Sequence, residues 1–531
     1  MKPTNYRLFA IETAFLLAAG ALVIQLFRII RNDRTIDASA KQGSYTLHIP
    51  LSTGVIYDRN FARLTNDEPV CYAVINPTPD TIASVFSKLK EPDKLQKNLQ
   101  NRVPFCCELT DGQISDPNVK VLEGARTSPS HIAQHLVGYR QDGTGMCGLE
   151  TAYSDWLQTY DVRTTVTFSV DAFGSVLAGL NCTEVREGTP NGGVVTTLSR
   201  PIQRITETAL KEAAPNPAAA VILDVQSGEI VAMASIPVYD TNHLDTALDD
   251  KDSPFLNRAL CAYPVGSVFK LTIAAAALEN GLTPEYMYEC TGKTNIGSQC
   301  FRCHKATGHG LLDMHNALVG SCNPYFISLC QLMTPEQLHN TASALGFGQS
   351  VFLADGITSA AGSLQSVKEL EIDAEKANFA FGQGKLLATP LQIAAMTACI
   401  ANDGIYCTPK LIKGLTEDGS TLVHPLESEQ KEALSASTAA AIRNMMYGVL
   451  TEGEHPLGTP HYTTAGGKTS TAQTGQYAED GTELCHAWMT GYFPADTPKY
   501  AVTVFVENGG SGNQSAAPIF REIIDHIVMM N

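Results

Sequence analysis

Ser267 and Lys270 stand three residues apart in Tyr263-Pro264-Val265-Gly266-Ser267-Val268-Phe269-Lys270, directly ahead of an alanine-rich run at 271–280. Alanine and leucine favour helix, Pro264 and Gly266 precede the run, and Gly281 lies where a C-cap belongs. A helix is therefore expected to begin near Ser267. Residues three apart share a helix face, so the lysine amine can reach the serine hydroxyl. A serine at a helix N-terminus also feels the positive end of the dipole, which favours a developing alkoxide. The chemistry this pairing supports is nucleophilic catalysis by an activated serine. Two other Ser-x-x-Lys sequences, Ser87-Lys88-Leu89-Lys90 and Ser428-Glu429-Gln430-Lys431, lie in charged stretches with no buried helix behind the serine and are expected to be solvated surface.

A working site needs partners from further along the chain. One candidate is Ser321-x-Asn323, ahead of Pro324. A second Ser-x-Asn, Ser511-Gly512-Asn513, falls in a glycine-rich loop and reads as a turn. Another candidate is Gly466-Gly467-Lys468-Thr469-Ser470-Thr471, whose alternation after two glycines suits an edge strand. A phosphate loop is excluded there, because Tyr462 stands where the first glycine belongs. Cys300-Phe301-Arg302-Cys303-His304 has the c-type haem attachment pattern, and with Cys290 and His309 it could instead hold zinc. There is only one such motif, and no second ligand pair has the right spacing, so neither group is expected. A disulfide from Cys290 to Cys300 or Cys303 would suit a domain outside the cytoplasm, with free thiols as the alternative. His309 is expected in a surface turn.

The elements that must position these groups occupy a chain of 531 residues, 44% hydrophobic and 17% charged, enough for two or three domains. Its net charge of −17 argues against a nucleic-acid partner, whose phosphates would be repelled. The fourteen cysteines are scattered and do not form a small disulfide scaffold. Residues 9–30 are apolar apart from Glu12, Gln25 and Arg28, just long enough for a membrane span. A cleavage site at Ala38-Ser39-Ala40 would lie well past the apolar run and beyond three arginines, so an uncleaved anchor is expected. Residues 31–190 mix short strand-like runs, such as Tyr45-Thr46-Leu47-His48-Ile49, with turns, and are expected to form a non-catalytic domain. From Ala218 the pattern sharpens. Two apolar runs at 218–225 and 229–234 flank Gln226-Ser227-Gly228 as a buried β-hairpin. Thr389 fits a helix N-cap with Pro390 at the first position. Two further strands and a closing amphipathic helix with Ile519, Phe520, Ile523, Ile524, Ile527 and Val528 end the chain.

The order Ser-x-x-Lys, Ser-x-Asn, Lys-Thr-x, the last on a strand, resembles the penicillin-recognising serine acyltransferases. Gly54 to Asn60, Gly148-Leu149-Glu150, Phe381-Gly382-Gln383-Gly384, Thr389-Pro390-Leu391-Gln392, His486-Ala487-Trp488 and Glu507-Asn508-Gly509-Gly510-Ser511-Gly512 extend the likeness over nearly the whole chain. Together they resemble class B penicillin-binding proteins, single-pass membrane D,D-transpeptidases that cross-link peptidoglycan. The resemblance implies an α/β (α+β) transpeptidase fold, an antiparallel sheet flanked by helices. It implies a cytoplasmic tip and transmembrane anchor at 1–30, an elongated non-catalytic pedestal or dimerisation domain at 31–190 and a catalytic domain at 191–531 outside the membrane. Ser267 would attack the penultimate D-Ala carbonyl, Lys270 would take its proton, and Ser321 would relay a proton to the leaving amine. Asn323 would hold the donor peptide. Lys468 and Thr469 would bind the terminal carboxylate with help from Ser470 or Thr471, and the N–H groups of Ser267 and Thr471 would form the oxyanion hole. No metal or cofactor is implied. The implied partners are peptidoglycan stem peptides on glycan derived from lipid-linked precursor, β-lactams, the membrane, and a separate glycosyltransferase, since this chain carries no candidate for that activity. An extracytoplasmic site favours the disulfide at Cys290.

Two positions depart from the family pattern. Ser470 replaces the usual glycine after Lys-Thr, and its side chain is expected to narrow the approach to the backbone. Val265 stands where proline often precedes Gly-Ser. The chain ends directly after the closing helix, so no appended repeat module is expected. The alternatives are a catalytically weak penicillin-binding scaffold, a D,D-carboxypeptidase that shares the site but not the pedestal, and a β-lactamase, which needs a route for deacylating water.

Overall fold

The computed structural model describes residues 3–30, 43–92, 103–141, 143–171, 173, 175–177 and 182–530. One helix, Pro3–Ile30, carries the N-terminal apolar run, and its side chains over Phe9–Arg28 are exposed. That 20-residue stretch is long and apolar enough to cross a membrane. The sequence Ala38-Ser39-Ala40 lies outside the described residues.

The chain divides into two units. The first comprises Met1–Thr53, Asn66–Arg126 and Tyr160–Pro190. Strands Ser44–Ser52, Val162–Ser169 and Cys182–Glu187 form one antiparallel sheet, and Phe105–Leu109, Glu68–Ile75 and Val119–Arg126 form another, each in that spatial order. Period-two alternation turns Val162, Val166 and Phe168 inward, where they meet Ile49 and Leu51 of their own sheet and Val74 and Leu122 of the other.

The second unit is Asn191–Asn531 together with Gly54–Thr65 and Thr127–Thr159. The strand Val55–Tyr57 joins it by parallel pairing with Gly193–Thr196. Gly193 has no room for a side chain, since a Cβ there would lie 1.7 Å from the Val55 carbonyl oxygen. In chain order the elements that matter for the site are α1 (Arg200–Ala213), β1 (Ala218–Asp224), β2 (Ile230–Ile236), α2 (Lys270–Glu279), α3 (Asn323–Gln331), α4 (Pro390–Ala401), α5 (Ala436–Thr451), β3 (Gly466–Tyr477), β4 (Glu483–Phe493), β5 (Tyr500–Val506) and α6 (Ala517–Met530). The five strands make one antiparallel sheet in the order β2-β1-β5-β4-β3, with β3 at the edge.

This sheet is covered on both faces, which explains why β1 and β2 read as continuous apolar runs. Ala218, Ala220 and Ile222 pack with Ile202 and Leu210 of α1 and with Ile519, Phe520 and Ile523 of α6. Ala219, Val221 and Leu223 face the other core, with α2 and α4. Every residue of α4 is buried. Its N-terminus is held by the expected cap: Thr389 Oγ1 accepts from the Gln392 N–H, and the Gln392 side chain accepts from the Thr389 N–H. The sheet, wrapped on both faces, is a rigid platform with β2 at one edge and β3 at the other, and β3 is the edge that carries Lys468, Thr469 and Thr471.

Candidate active site

Ser267 lies in a single 3₁₀ turn, Gly266–Phe269, and α2 begins only at Lys270. The sequence suggested an α-helical start. The chain instead enters through Gly266 at φ +65°, a conformation outside the right-handed helical region. The tighter turn has three residues per revolution, so Ser267 and Lys270 eclipse one another. Three consecutive residues ahead of the serine are each pinned by a different element. Trp488 of β4 donates its indole N–H to the Pro264 oxygen at 3.0 Å. Ser470 of β3 donates its hydroxyl to the Val265 oxygen at 2.9 Å. The Gly266 N–H donates to the Gly382 oxygen at 2.8 Å. Gly382 has φ +74°, and a Cβ there would sit 2.1 Å from the Gly266 oxygen, so this glycine is required for the close approach.

Lys270 has no exposed surface. Its Nζ lies 2.7 Å from the Ser321 carbonyl oxygen, 2.7 Å from Asn323 Oδ1, 3.1 Å from Ser267 Oγ and 3.2 Å from Ser321 Oγ. The two shortest contacts go to groups that can only accept. A neutral amine has two N–H donors for them and one lone pair left for a hydroxyl proton. Burial pushes the Lys270 ammonium well below its ordinary range, and the charge of Lys468 pushes in the same direction. The structure thus favours the form of lysine that can act as a base.

Ser321 follows the helix Met314–Val319 and takes a left-handed conformation, φ +50°, rare for a residue with a side chain. The reversal turns its carbonyl and hydroxyl toward Lys270, while Asn323 opens α3 and donates its Nδ2 to the Arg302 oxygen at 3.2 Å. Lys468 is buried on β3, donates to the Thr469 oxygen at 3.0 Å, and is lowered by burial to about 8. Along the strand Lys468, Ser470 and Ala472 face inward, whereas Thr469 is half-buried and Thr471 exposed. Thr471 Oγ1 accepts from the Gly512 N–H at 3.2 Å.

Ser470 corrects the expectation placed on it. Its side chain does not narrow the approach to the strand. It is buried behind the nucleophile turn, and a Cβ on Gly266 would meet its Oγ at 2.4 Å. Its hydroxyl is committed to Val265 and so is not offered to a bound ligand. Ser470→Gly is expected to lower unfolding stability by about 1–3 kcal/mol, through the lost buried hydrogen bond and added backbone freedom, in urea denaturation. Acylation of Ser267 should change by no more than a few-fold.

Other sequence candidates separate cleanly. Lys90 pairs with Glu108 at 2.7 Å, and Lys431 lies over the Tyr406 ring, so both amines point to partners other than the nearby serines. Asn513 lies not in a simple turn but in the short helical segment Gly512–Ala516, which it ties to the loop at 455–457 by accepting from the Leu457 N–H and donating to the His455 oxygen. The disulfide expected at Cys290 is absent, since all fourteen cysteines are free, and Cys300 sits exposed on a hairpin strand. His309 is not a plain surface residue: its Nδ1 lies 3.4 Å from Cys303 Sγ. The x of Ser-x-Asn, Cys322, is fully buried beside these groups, and sequence inspection assigned it no part.

Residues 218–525 match the penicillin binding protein transpeptidase domain family. The peptidoglycan D,D-transpeptidase MrdA of Acinetobacter baumannii is 26% identical, over 95% of this chain and 84% of that one. Among solved structures, penicillin-binding protein A of M. tuberculosis in its ceftriaxone acyl-enzyme complex is 25% identical with a TM-score of 0.63, over 74% of this chain and 90% of that one. A chain from a peptidoglycan synthase complex that coordinates polymerization and crosslinking is 25% identical with a TM-score of 0.69, over 99% of both.

Proposed function

We propose, for a chain that belongs to the penicillin-binding protein transpeptidase family, that it is a peptidoglycan D,D-transpeptidase working through an acyl-enzyme on Ser267. The observation that carries this is the buried Lys270 amine, set 3.1 Å from Ser267 Oγ with its two donors directed at fixed acceptors. In the first half-reaction the Lys270 lone pair takes the Ser267 proton as Oγ bonds to the penultimate D-Ala carbonyl. The oxyanion forms facing the N–H groups of Ser267 and Thr471, a type of contact that contributes about 3–4 kcal/mol in other acyl-transfer sites. The C–N bond then breaks, and the proton passes from Lys270 by way of the Ser321 hydroxyl to the departing D-Ala amine. In the second half-reaction an amine of a neighbouring stem peptide attacks the ester. It gives up its proton to Lys270, and Ser267 recovers one as the new amide forms.

Lys468 and Thr469 on the edge strand are the groups for the donor's terminal carboxylate, and Asn323 flanks the peptide from the opposite side. β-Lactams present the same carboxylate and a strained amide, so they would acylate Ser267 as well. The exposed apolar helix at Phe9–Arg28 supports single-pass anchoring in the cytoplasmic membrane. The substrate lies outside the cell, which places the N-terminus in the cytoplasm and the catalytic unit outside. Of residues 31–190, the segments that belong to the first unit, up to Thr53 with Asn66–Arg126 and Tyr160–Pro190, serve as a non-catalytic pedestal, whereas Gly54–Thr65 and Thr127–Thr159 belong to the unit that carries the site. A separate glycosyltransferase would supply the glycan strands, as coupling of polymerization with crosslinking in the synthase complex suggests.

The test is to incubate the detergent-solubilised full chain with benzylpenicillin, record the intact mass and map the adduct. A long-lived adduct on Ser267 is expected. Rapid hydrolysis of the drug would point to a β-lactamase instead. A depsipeptide substrate with a competing acceptor amine then distinguishes transpeptidation, which yields the amide, from carboxypeptidase action, which yields only the acid.

A further inference from the structure

Directly behind the Ser321-to-Asn323 turn, four metal-ligating side chains converge from separate parts of the chain. Cys290 ends the strand Tyr288–Cys290, Cys303 follows the strand Gln299–Arg302, His309 precedes the strand Gly310–Leu312, and Cys322 is the middle residue of Ser-x-Asn. One donor atom from each lies within 4.8 Å of all the others. The three cysteines are buried and His309 is half-buried. We propose that Cys290, Cys303, His309 and Cys322 bind a structural Zn²⁺ that holds the Ser321-to-Asn323 turn against Lys270.

The geometry suits that ion. With zinc–sulfur bonds of about 2.3 Å and zinc–nitrogen bonds of about 2.0 Å, the edges of a tetrahedral Cys₃His site are about 3.5–3.8 Å long. Cys303 Sγ and His309 Nδ1 stand 3.4 Å apart, so Nδ1 is the nitrogen that would ligate. Three soft sulfurs and an imidazole select zinc over magnesium or calcium, and four protein ligands leave no open position, which marks a structural and not a catalytic site. On binding, the three thiols lose their protons to solvent.

The surrounding backbone is shaped to bring the ligands together. Gly292 has φ +93°, and a Cβ on it would lie 2.1 Å from the Ala306 oxygen. Gly308 has φ +79°, and a Cβ on it would lie 2.1 Å from the Cys290 oxygen. The Cys303 N–H donates to the Gly292 oxygen at 2.9 Å. Two side-chain-free positions thus let the segments bearing Cys290, Cys303 and His309 close on one another. A disulfide could use only two of the three buried sulfurs and would leave the third unmatched.

The spacing Cys-x₁₂-Cys-x₅-His-x₁₂-Cys contains just one short pair, which is why inspection for consecutive ligand pairs found no second one. The fourth ligand comes from the catalytic turn itself. Anchoring Cys322 to a metal fixes the residues on either side, Ser321 with its left-handed backbone and Asn323 with its oxygen on Lys270. This positioning role rests on the acyl-transfer reading of the site; the metal site does not.

The test uses the full chain, purified from zinc-supplemented culture without chelator. About one equivalent of zinc per chain is expected by mass spectrometry of the metal, and cobalt substitution should give the intense visible bands of tetrahedral thiolate-bound cobalt. Cys290→Ser and His309→Ala should each retain less than about half an equivalent, whereas Cys300→Ser, outside the cluster, should retain it all. Folded wild-type protein with under about 0.1 equivalent of zinc would overturn the proposal, as would a disulfide among Cys290, Cys303 and Cys322 in a non-reducing peptide map. Should the variants fail to fold, stripping wild type with a strong chelator decides the positioning role. Acylation by benzylpenicillin should slow at least about tenfold and recover on adding zinc. Unchanged acylation after full removal would refute that role. If even the zinc-loaded protein does not acylate, the transpeptidase reading fails, while the zinc stoichiometry still decides the metal site.

Discussion

With Ser267 replaced by alanine, benzylpenicillin should leave no covalent adduct. With Lys270 replaced by methionine, acylation should proceed about 10²–10⁴-fold more slowly, the range expected when a positioned general base is lost. Methionine keeps the length and apolar body of the lysine, so the buried space stays filled, but it has no lone pair for the serine proton. The pH dependence distinguishes lost base catalysis from general damage. Only the neutral amine accepts a proton. Burial and the nearby Lys468 charge both disfavour the ammonium, so the neutral fraction grows as pH rises through a value well below 10.5. Wild-type acylation should therefore rise with pH across that window. In Lys270→Met the rise should vanish and the residual rate stay flat, measured with a fluorescent penicillin under single-turnover conditions. A variant that kept the wild-type rise would remove Lys270 from the role of base.

The pairing of Ser267 with Lys270 was legible because a three-residue spacing brings side chains together in an α-helix and even more so in a 3₁₀ turn. The hairpin of β1 and β2 was legible because both its faces are covered, which leaves no polar alternation to confuse the pattern. Thr389 announced the start of α4 through its cap. Ser470 was misjudged because strand alternation states which residues share a face, not which face meets the nucleophile turn. That depends on β3 lying against Gly266, a contact between residues about two hundred positions apart. The same limit hid the joining of Gly54–Thr65 to the second unit, which rests on pairing between Val55–Tyr57 and Gly193–Thr196. It also hid Cys322, since four ligands on four separate segments leave no repeat to recognise. In each case local chemistry was readable, and what escaped was supplied by long-range packing.

Lys468→Met should change acylation in two separable ways. First, the wild-type lysine lowers the pKa of Lys270 by its charge, so removing it should move the rising limb of the rate profile to higher pH. Second, the lost charged hydrogen bond to a substrate carboxylate should lower kcat/KM by about 10- to 150-fold, corresponding to about 1.5–3 kcal/mol. Lys468 itself is lowered to about 8. An amine loses its charge as pH rises through its pKa, so in the wild type the capture of carboxylate-bearing substrates should weaken above pH about 8. The profile of kcat/KM, which reports groups in the free enzyme, should therefore be bell-shaped, rising as Lys270 becomes neutral and falling as Lys468 does. In Lys468→Met the falling limb should disappear while the rising limb moves upward. Loss of the rising limb instead would reverse the assignment, making Lys468 the base and Lys270 the electrostatic partner.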